Sequence, residues 1–410
     1  MTAVAGAGSE IDLGSAKRNV ALLTVAQAIL GSAPPIAFAA GGLAAYQMLG
    51  DDKGLATAPL TGFNVGTALG AMGVAVAARY FGRKLGFTAG ACVMAISGLI
   101  ATIAVFQQNF WLMIAGFMVC GFSAGFTQKI RFAAADASPT NYKATAISWI
   151  LAGGIISGLL GPQLAIYTEN LFETVPYAGA FMMFVPLGLI AAAVMLFLRL
   201  PTLTDHTAAS TEPARSLSEI VMTQGFMTGM FCGISSYCLM TFMMTGAPLA
   251  MVHECGFSNV ESFYGIQYHV LGMFGPSFFT GKLINRFGAE RVVAAGLAIL
   301  MVCAVVAHAG VELWNFWGAL ILLGIGWNFG FIGSTAIVAS SYRPSEADKV
   351  QGFNDIILFS SVALASFASG LVFNAFGWAG MILPVWPLAI TGLVLLFFLS
   401  RRKMAAGDRA

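Results

Sequence analysis

Two pairs of residues in this chain of 410 have types and spacing suited to one chemistry. Met240 with Met244, and His269 with Met273, each stand four positions apart, which on a helix puts both members of a pair on one face. Thioether and imidazole groups suit a soft cation such as copper(I), and a ladder of weak sites lets an ion pass from one to the next. A second set suits a different ligand. Gln27, Asn64, Trp149, Tyr237, Gln267, Trp327 and Asn328 are polar or aromatic residues standing in long apolar surroundings. Amides supply donors and acceptors, and aromatic rings supply flat apolar faces, which together fit an amphipathic organic molecule. His269 belongs to both sets. Packing competes with either reading, because Met and aromatic side chains also fill apolar helix interfaces, and the chain holds 20 Met.

The elements that must position these residues are membrane-spanning helices. Of the residues, 58% are hydrophobic and only 9% charged, with 48 Gly besides; the charged share of a soluble domain is about 25%. Soluble enzymes, disordered chains and secreted disulfide scaffolds are excluded. Cys92, Cys120, Cys232, Cys238 and Cys303 lie inside apolar runs, with only Cys255 beside a loop and no CxxC pair, so no disulfide framework is expected. A bilayer core of about 30 Å takes roughly 20 apolar residues as a helix. About twelve such runs are found, at 19–45, 56–78, 86–106, 110–131, 144–167, 177–198, 220–246, 260–282, 291–309, 313–337, 351–375 and 378–400. The first follows Lys17 and Arg18 and is too long for a cleaved signal, so it reads as an uncleaved helix.

Basic residues stay on the cytoplasmic side of short loops. With both termini inside, all but Lys53 of the 20 Lys and Arg fall on that side. The polar stretch 199–219 then separates an N-terminal half, 19–198, from a C-terminal half, 220–400, with cytoplasmic tails at 1–18 and 401–410. A repeat supports the division. Arg79-Tyr80-Phe81-Gly82-Arg83-Lys84 follows the second span and Asn285-Arg286-Phe287-Gly288 follows the eighth; Asp136 to Lys143 and Tyr342 to Lys349 echo each other likewise. The expected fold is an all-α polytopic membrane protein of twelve transmembrane helices in two pseudo-symmetric six-helix bundles.

Twelve spans as six plus six, a central loop and paired basic turns resemble the major facilitator superfamily over the whole chain. Arg79 stands where that family's turn has Asp, and Asn285 replaces the acid in the second copy. Residues 240–288, with Gly324 to Gly330 and Val350 to Asp355, resemble the bacterial branch that holds both riboflavin importers and the copper importers of cytochrome oxidase assembly. The resemblance implies a secondary transporter working by alternating access, with substrate near the midplane between the halves. Gln27, Asn64, Trp149, Tyr237, Gln267, His269, Trp327 and Asn328 are then the substrate-binding candidates, and Arg83, Lys84, Asp136, Arg286 and Asp355 those for gating and coupling. In the copper reading Met240, Met244, His269 and Met273 are the metal ligands, with Cys232 and Cys255 as accessory thiols.

Inventory favours the flavin. The first half carries no Met, His or Cys set to complete a metal path, and instead offers amides and Trp149. An isoalloxazine ring needs aromatic faces and a few amide-type partners. Riboflavin has no phosphate, and no Arg cluster is expected at the midplane. Copper import and efflux of amphipathic organic compounds stay open as alternatives; Gly158 to Pro162 lacks the antiporter's complete Gly-rich pattern and reads as a packing and bending element. Asp136, Asp355, Glu261 and His269 are the candidates for proton coupling. No ATP-binding motif is present, and with 4 His in all no clustered nucleophile and base is expected, so the chain is read as no enzyme. No cofactor and no nucleic-acid partner are expected. The reading is a functional monomer among lipids of the bacterial inner membrane, with a small molecule as its partner.

Overall fold

The computed structural model describes residues 12–200 and 215–407. Residues 1–11 of the expected N-terminal tail, 201–214 of the central loop and 408–410 of the C-terminal tail lie outside the described residues. In chain order the helices are α1 (Leu13–Leu30), α2 (Ala33–Met48), α3 (Ala58–Phe106), α4 (Phe110–Thr127), α5 (Ile130–Asp136), α6 (Lys143–Thr168), α7 (Ala178–Met182) and α8 (Phe184–Leu196). Then come α9 (Leu217–Val221), α10 (Gln224–Leu249), α11 (Asn259–Phe274), α12 (Ser277–Phe287), α13 (Ala289–His308), α14 (Leu313–Ala339), α15 (Ala347–Ile382) and α16 (Val385–Gly407).

Among the described residues, 10 helices are long and apolar enough to cross a membrane. The two expected spans outside that set are 56–78 and 260–282. The first occupies the opening part of α3, a run of 49 residues that breaks at Gly82, and the membrane-length helix counted there begins at Tyr80. The second is divided at Gly275-Pro276 into α11 of 16 residues and α12 of 11. Pro276 has no N–H for the preceding turn. Asn328 of α14 repairs the break: its Nδ2 donates to Met273 O at 2.7 Å and Ser277 Oγ at 2.7 Å, and its Oδ1 accepts from Thr280 Oγ1 at 2.6 Å.

The two basic turns share a backbone conformation. Gly82 (φ 78, ψ 159) and Gly288 (φ 87, ψ 151) turn the chain through nearly the same conformation, one that suits glycine because it has no Cβ. Close helix approach also depends on small residues. A Cβ on Gly66 would lie 1.9 Å from Met118 O, and one on Gly121 would lie 1.9 Å from Phe63 O, so α3 and α4 touch backbone to backbone. At the end of the molecule that carries the basic turns, Arg215 grips Glu346 at 2.8 Å and Lys349 Nζ donates to Arg215 O. The Arg215 guanidinium holds the Glu346 carboxyl down at about 2. This ties the chain that follows the central loop to the α14–α15 junction.

The opposite end is where the halves meet. Tyr46 of α2 stacks on His253 with ring centroids 3.8 Å apart. Pro248 loosens the end of α10 into a π-helical turn, Ala250–Glu254, which carries that histidine. Gly370 N donates to Thr57 Oγ1 at 3.1 Å, and Gln163 Nε2 to Gln267 Oε1 at 2.7 Å. Asn259, at the start of α11, lies beside the side chains of Glu169 and Tyr177 from the other half. Glu169 is 5% exposed, and burial pushes its carboxyl above the ordinary range.

Candidate functional site

Between the halves lies a cavity of about 620 Å³, within the range of roughly 300–1,000 Å³ found for small-molecule sites. It reaches the basic end, where Gln128 and Gln351 are exposed on its wall. The wall from the C-terminal half is aromatic. Trp327 stacks on Phe331 with centroids 5.3 Å apart and planes at 17°. Tyr237 of α10 meets both rings edge-on, at 5.5 and 5.0 Å, and Phe359 of α15 completes the group at 6.2 Å. Trp327 and Phe331 stand one turn apart on α14, so both rings leave the same helix face. Trp327 is 9% exposed and its Nε1–H has no partner; Ser334 Oγ, on the same wall and 1% exposed, has none either. A buried donor without a partner costs free energy, and both residues belong to the cavity wall.

The wall from the N-terminal half mixes polar side chains with the rings of Phe38 and Phe63. Gln27 and Asn64 line it as expected, joined by Thr67. Asn64 Nδ2 donates to Leu60 O at 2.9 Å, so that group is spoken for within its own helix. Near the basic end the lining carries Lys129 and Arg131, from the break between α4 and α5, and Asp355 from α15. Both cations lie within electrostatic reach of Asp355. No Arg cluster is expected at the midplane from the sequence, and these cations stand instead near the basic end of the cavity. In the sequence Lys129 and Arg131 count only among the cytoplasmic-side charges, at the end of the span 110–131. The signal for them was the interruption of the apolar run at Gln128-Lys129, where α4 ends and the short α5 begins.

The remaining candidates lie elsewhere. Trp149 is 54% exposed and does not line the cavity, although its neighbours Ile150 and Leu151 do. Gln267 is engaged by Gln163 in the contact between halves. Asn328, fully buried, holds the α11–α12 break. His269 is fully buried, and its ring nitrogen Nδ1 is 2.8 Å from Leu320 O. A carbonyl only accepts, so the proton is on Nδ1, and Nε2 is left buried without a partner. Gly324 makes this clamp possible, since a Cβ there would lie 2.4 Å from His269 O.

The metal ladder is therefore not assembled on the cavity wall. Met240, Met244 and Met273 line the cavity, and His269 stands outside its lining. Cys232 is buried near Gly392 O at 3.8 Å, and Cys255 is half-buried at the closed end. Among the described residues no group of three or more His, Cys, Asp or Glu converges as a metal site.

The gating candidates separate as well. Arg83 Nη2 pairs with Asp136 Oδ2 at 3.1 Å, inside the N-terminal half. Lys84 is half-buried beside it. Arg286 is exposed, with its guanidinium 5.2 Å from the Phe287 centroid. Asp355 faces the cavity.

The comparisons with known proteins agree with this architecture. The Major Facilitator Superfamily model matches residues 20–355. The riboflavin transporter RfnT of Brucella anthropi is 43% identical over 397 residues, covering 97% of this chain and 99% of that protein. An uncharacterized MFS-type transporter of Bacillus subtilis, YddS, is 28% identical over 87% of this chain and 85% of its own length. Among solved structures, a bacterial homologue of the human lysosomal transporter Spinster, inward-facing and unoccupied, superposes with a TM-score of 0.70 at 14% identity, covering 95% of this chain and 98% of that one. A chain with these helices, this cavity between halves and these relatives belongs to the Major Facilitator Superfamily and is a multi-pass transport protein of the bacterial inner membrane.

Proposed function

We propose that this transporter imports riboflavin or a related flavin by alternating access. The observation that carries the reading is the aromatic wall of Tyr237, Trp327, Phe331 and Phe359, with the unpartnered Trp327 Nε1–H within it. A flat heteroaromatic ring with carbonyl acceptors at its edge is the ligand that satisfies both features. The 43% identity to a protein named a riboflavin transporter supports the same substrate. Its work is transport rather than bond chemistry, as a functional monomer surrounded by lipid, without nucleic acid.

In the topology that goes with this function, the halves 19–198 and 220–400 contribute six spans each, and the tails 1–18 and 401–410 and the loop 199–219 are cytoplasmic. The conformation is then inward-facing: the Tyr46–His253 end is the periplasmic gate, shut, and the cavity opens towards the cytoplasm. Arg83, Lys84, Asp136, Arg286 and Asp355 serve the cytoplasmic gate. Copper import finds less support, because His269 stands outside the cavity lining that Met240, Met244 and Met273 share.

The test is uptake. A riboflavin auxotroph lacking its own importer, carrying this chain, is expected to grow at low riboflavin and to accumulate labelled riboflavin but not labelled copper. Copper accumulation without growth rescue would overturn the reading. Reporters fused after Lys84, Pro213 or Lys403 are expected in the cytoplasm, and those after Lys53 or Glu173 in the periplasm; one inverted loop breaks the twelve-span arrangement.

A further inference from the structure

We propose that Lys129 and Arg131 form an anion subsite in the cavity, so that the transporter also binds a flavin whose side chain ends in a phosphomonoester. The inference rests on the flavin reading above and extends its substrate class from neutral to anionic flavins.

Three observations carry it. Both cations line the cavity and converge on one ring: Arg131 Cζ is 4.8 Å and Lys129 Nζ 5.7 Å from the centroid of Phe132, itself part of the lining. Among the described residues the ion pairs within 4.0 Å belong to Arg83 and Arg215, not to these two. The acid in electrostatic reach is Asp355, one negative charge against two positive ones. Arg131 is exposed and Lys129 half-buried, so both charged heads are open to an anion that enters the cavity. A phosphomonoester brings nearly two charges and three acceptor oxygens, enough for a guanidinium and an ammonium at once. Arg131 also lies in electrostatic reach of Tyr237, so an anion held there belongs to a molecule whose ring can rest on the aromatic wall.

The experiment uses the purified full chain and the intrinsic fluorescence of riboflavin and of riboflavin 5′-phosphate, which aromatic stacking quenches. Wild type is expected to bind the phosphate ester at least as tightly as riboflavin, and raised salt should weaken the ester selectively. In Lys129→Gln with Arg131→Gln the affinity ratio of ester to riboflavin should fall about tenfold or more, the scale of lost charge-assisted hydrogen bonds. Asp355→Asn should move the ratio the other way. Riboflavin binding without ester binding in wild type overturns the subsite alone, and so does an unchanged ratio in a double variant that still binds riboflavin. Failure of wild type to bind any flavin overturns the proposed function, and the subsite with it.

Discussion

The N-terminal and C-terminal parts of the molecule share the conformation of their basic turns and differ in what they give the cavity. Gly82 and Gly288 adopt almost the same left-handed turn after corresponding helices. The pattern recurs at Tyr177 (φ 67) and Gly377 (φ 59), each just before its half's last span. Yet, beside rings and amides that both contribute, the N-terminal half gives the cavity two cations, Lys129 and Arg131, and the C-terminal half gives it the Tyr237, Trp327, Phe331 and Phe359 cluster and the carboxylate of Asp355. Backbone geometry needs glycine or a strained residue at a few turns and leaves the other positions free to diverge. An asymmetric substrate can then be held in one orientation, with ring to one wall and polar edge to the other.

The comparison is broken most severely at Trp327. Trp327→Ala removes both the stacking face and the unpartnered donor, an expected loss of roughly 2 kcal/mol, or about thirtyfold in riboflavin affinity. Trp327→Phe keeps a ring and loses only the N–H, and should cost about fivefold. The opposite wall is expected to matter less: Asn64→Ala should cost no more than about threefold, since its Nδ2 already bonds Leu60 O. Binding measured by flavin fluorescence ranks all three. An Asn64 effect as large as that of Trp327 would sink the division of labour.

The paired basic turns offer a smaller contrast. The Arg83 side chain is 12% exposed and bridged to Asp136, whereas Arg286 is exposed. Arg83→Ala is expected to lower the maximal uptake rate by about fivefold, and Arg286→Ala by less than about twofold, consistent with the small worth of exposed charges. Affinity should stay nearly constant in both. A large loss of affinity would mean that the arginines touch substrate.

The closed end predicts a pH effect. Burial raises the Glu169 carboxyl, so the closed state favours the protonated form. Closure is strongest at pH values below the carboxyl's ordinary range and weakens as pH rises through the raised value. Hydrogen exchange at the start of α11, corrected for the intrinsic rate, should therefore increase with pH in wild type and lose that increase in Glu169→Gln. An identical profile in both would remove Glu169 from gate control. The smallest effect is expected from Met240→Leu with Met244→Leu. Volume and apolarity are nearly kept, so riboflavin uptake should stay within about twofold, whereas a soft-metal path would lose its ligand atoms.

The sequence by itself determined that the chain lives in a membrane, because apolar runs and the placement of basic residues are local properties written in one dimension. It also marked the turns at Gly82 and Gly288, since only glycine suits that backbone, and it picked out Gln27, Asn64, Tyr237 and Trp327, which do line the cavity. Depth along a helix is countable, but rotation about the helix axis is decided by neighbours. Tertiary structure alone therefore turned Trp149 outward, committed His269 to Leu320 O and Gln267 to Gln163, and set Asn328 to bridge the break at Pro276. It also set Lys129 and Arg131 on the cavity wall, at the break between α4 and α5. Polarity in an apolar run says that a side chain needs a partner; only the packed fold decides whether that partner is another helix or the substrate.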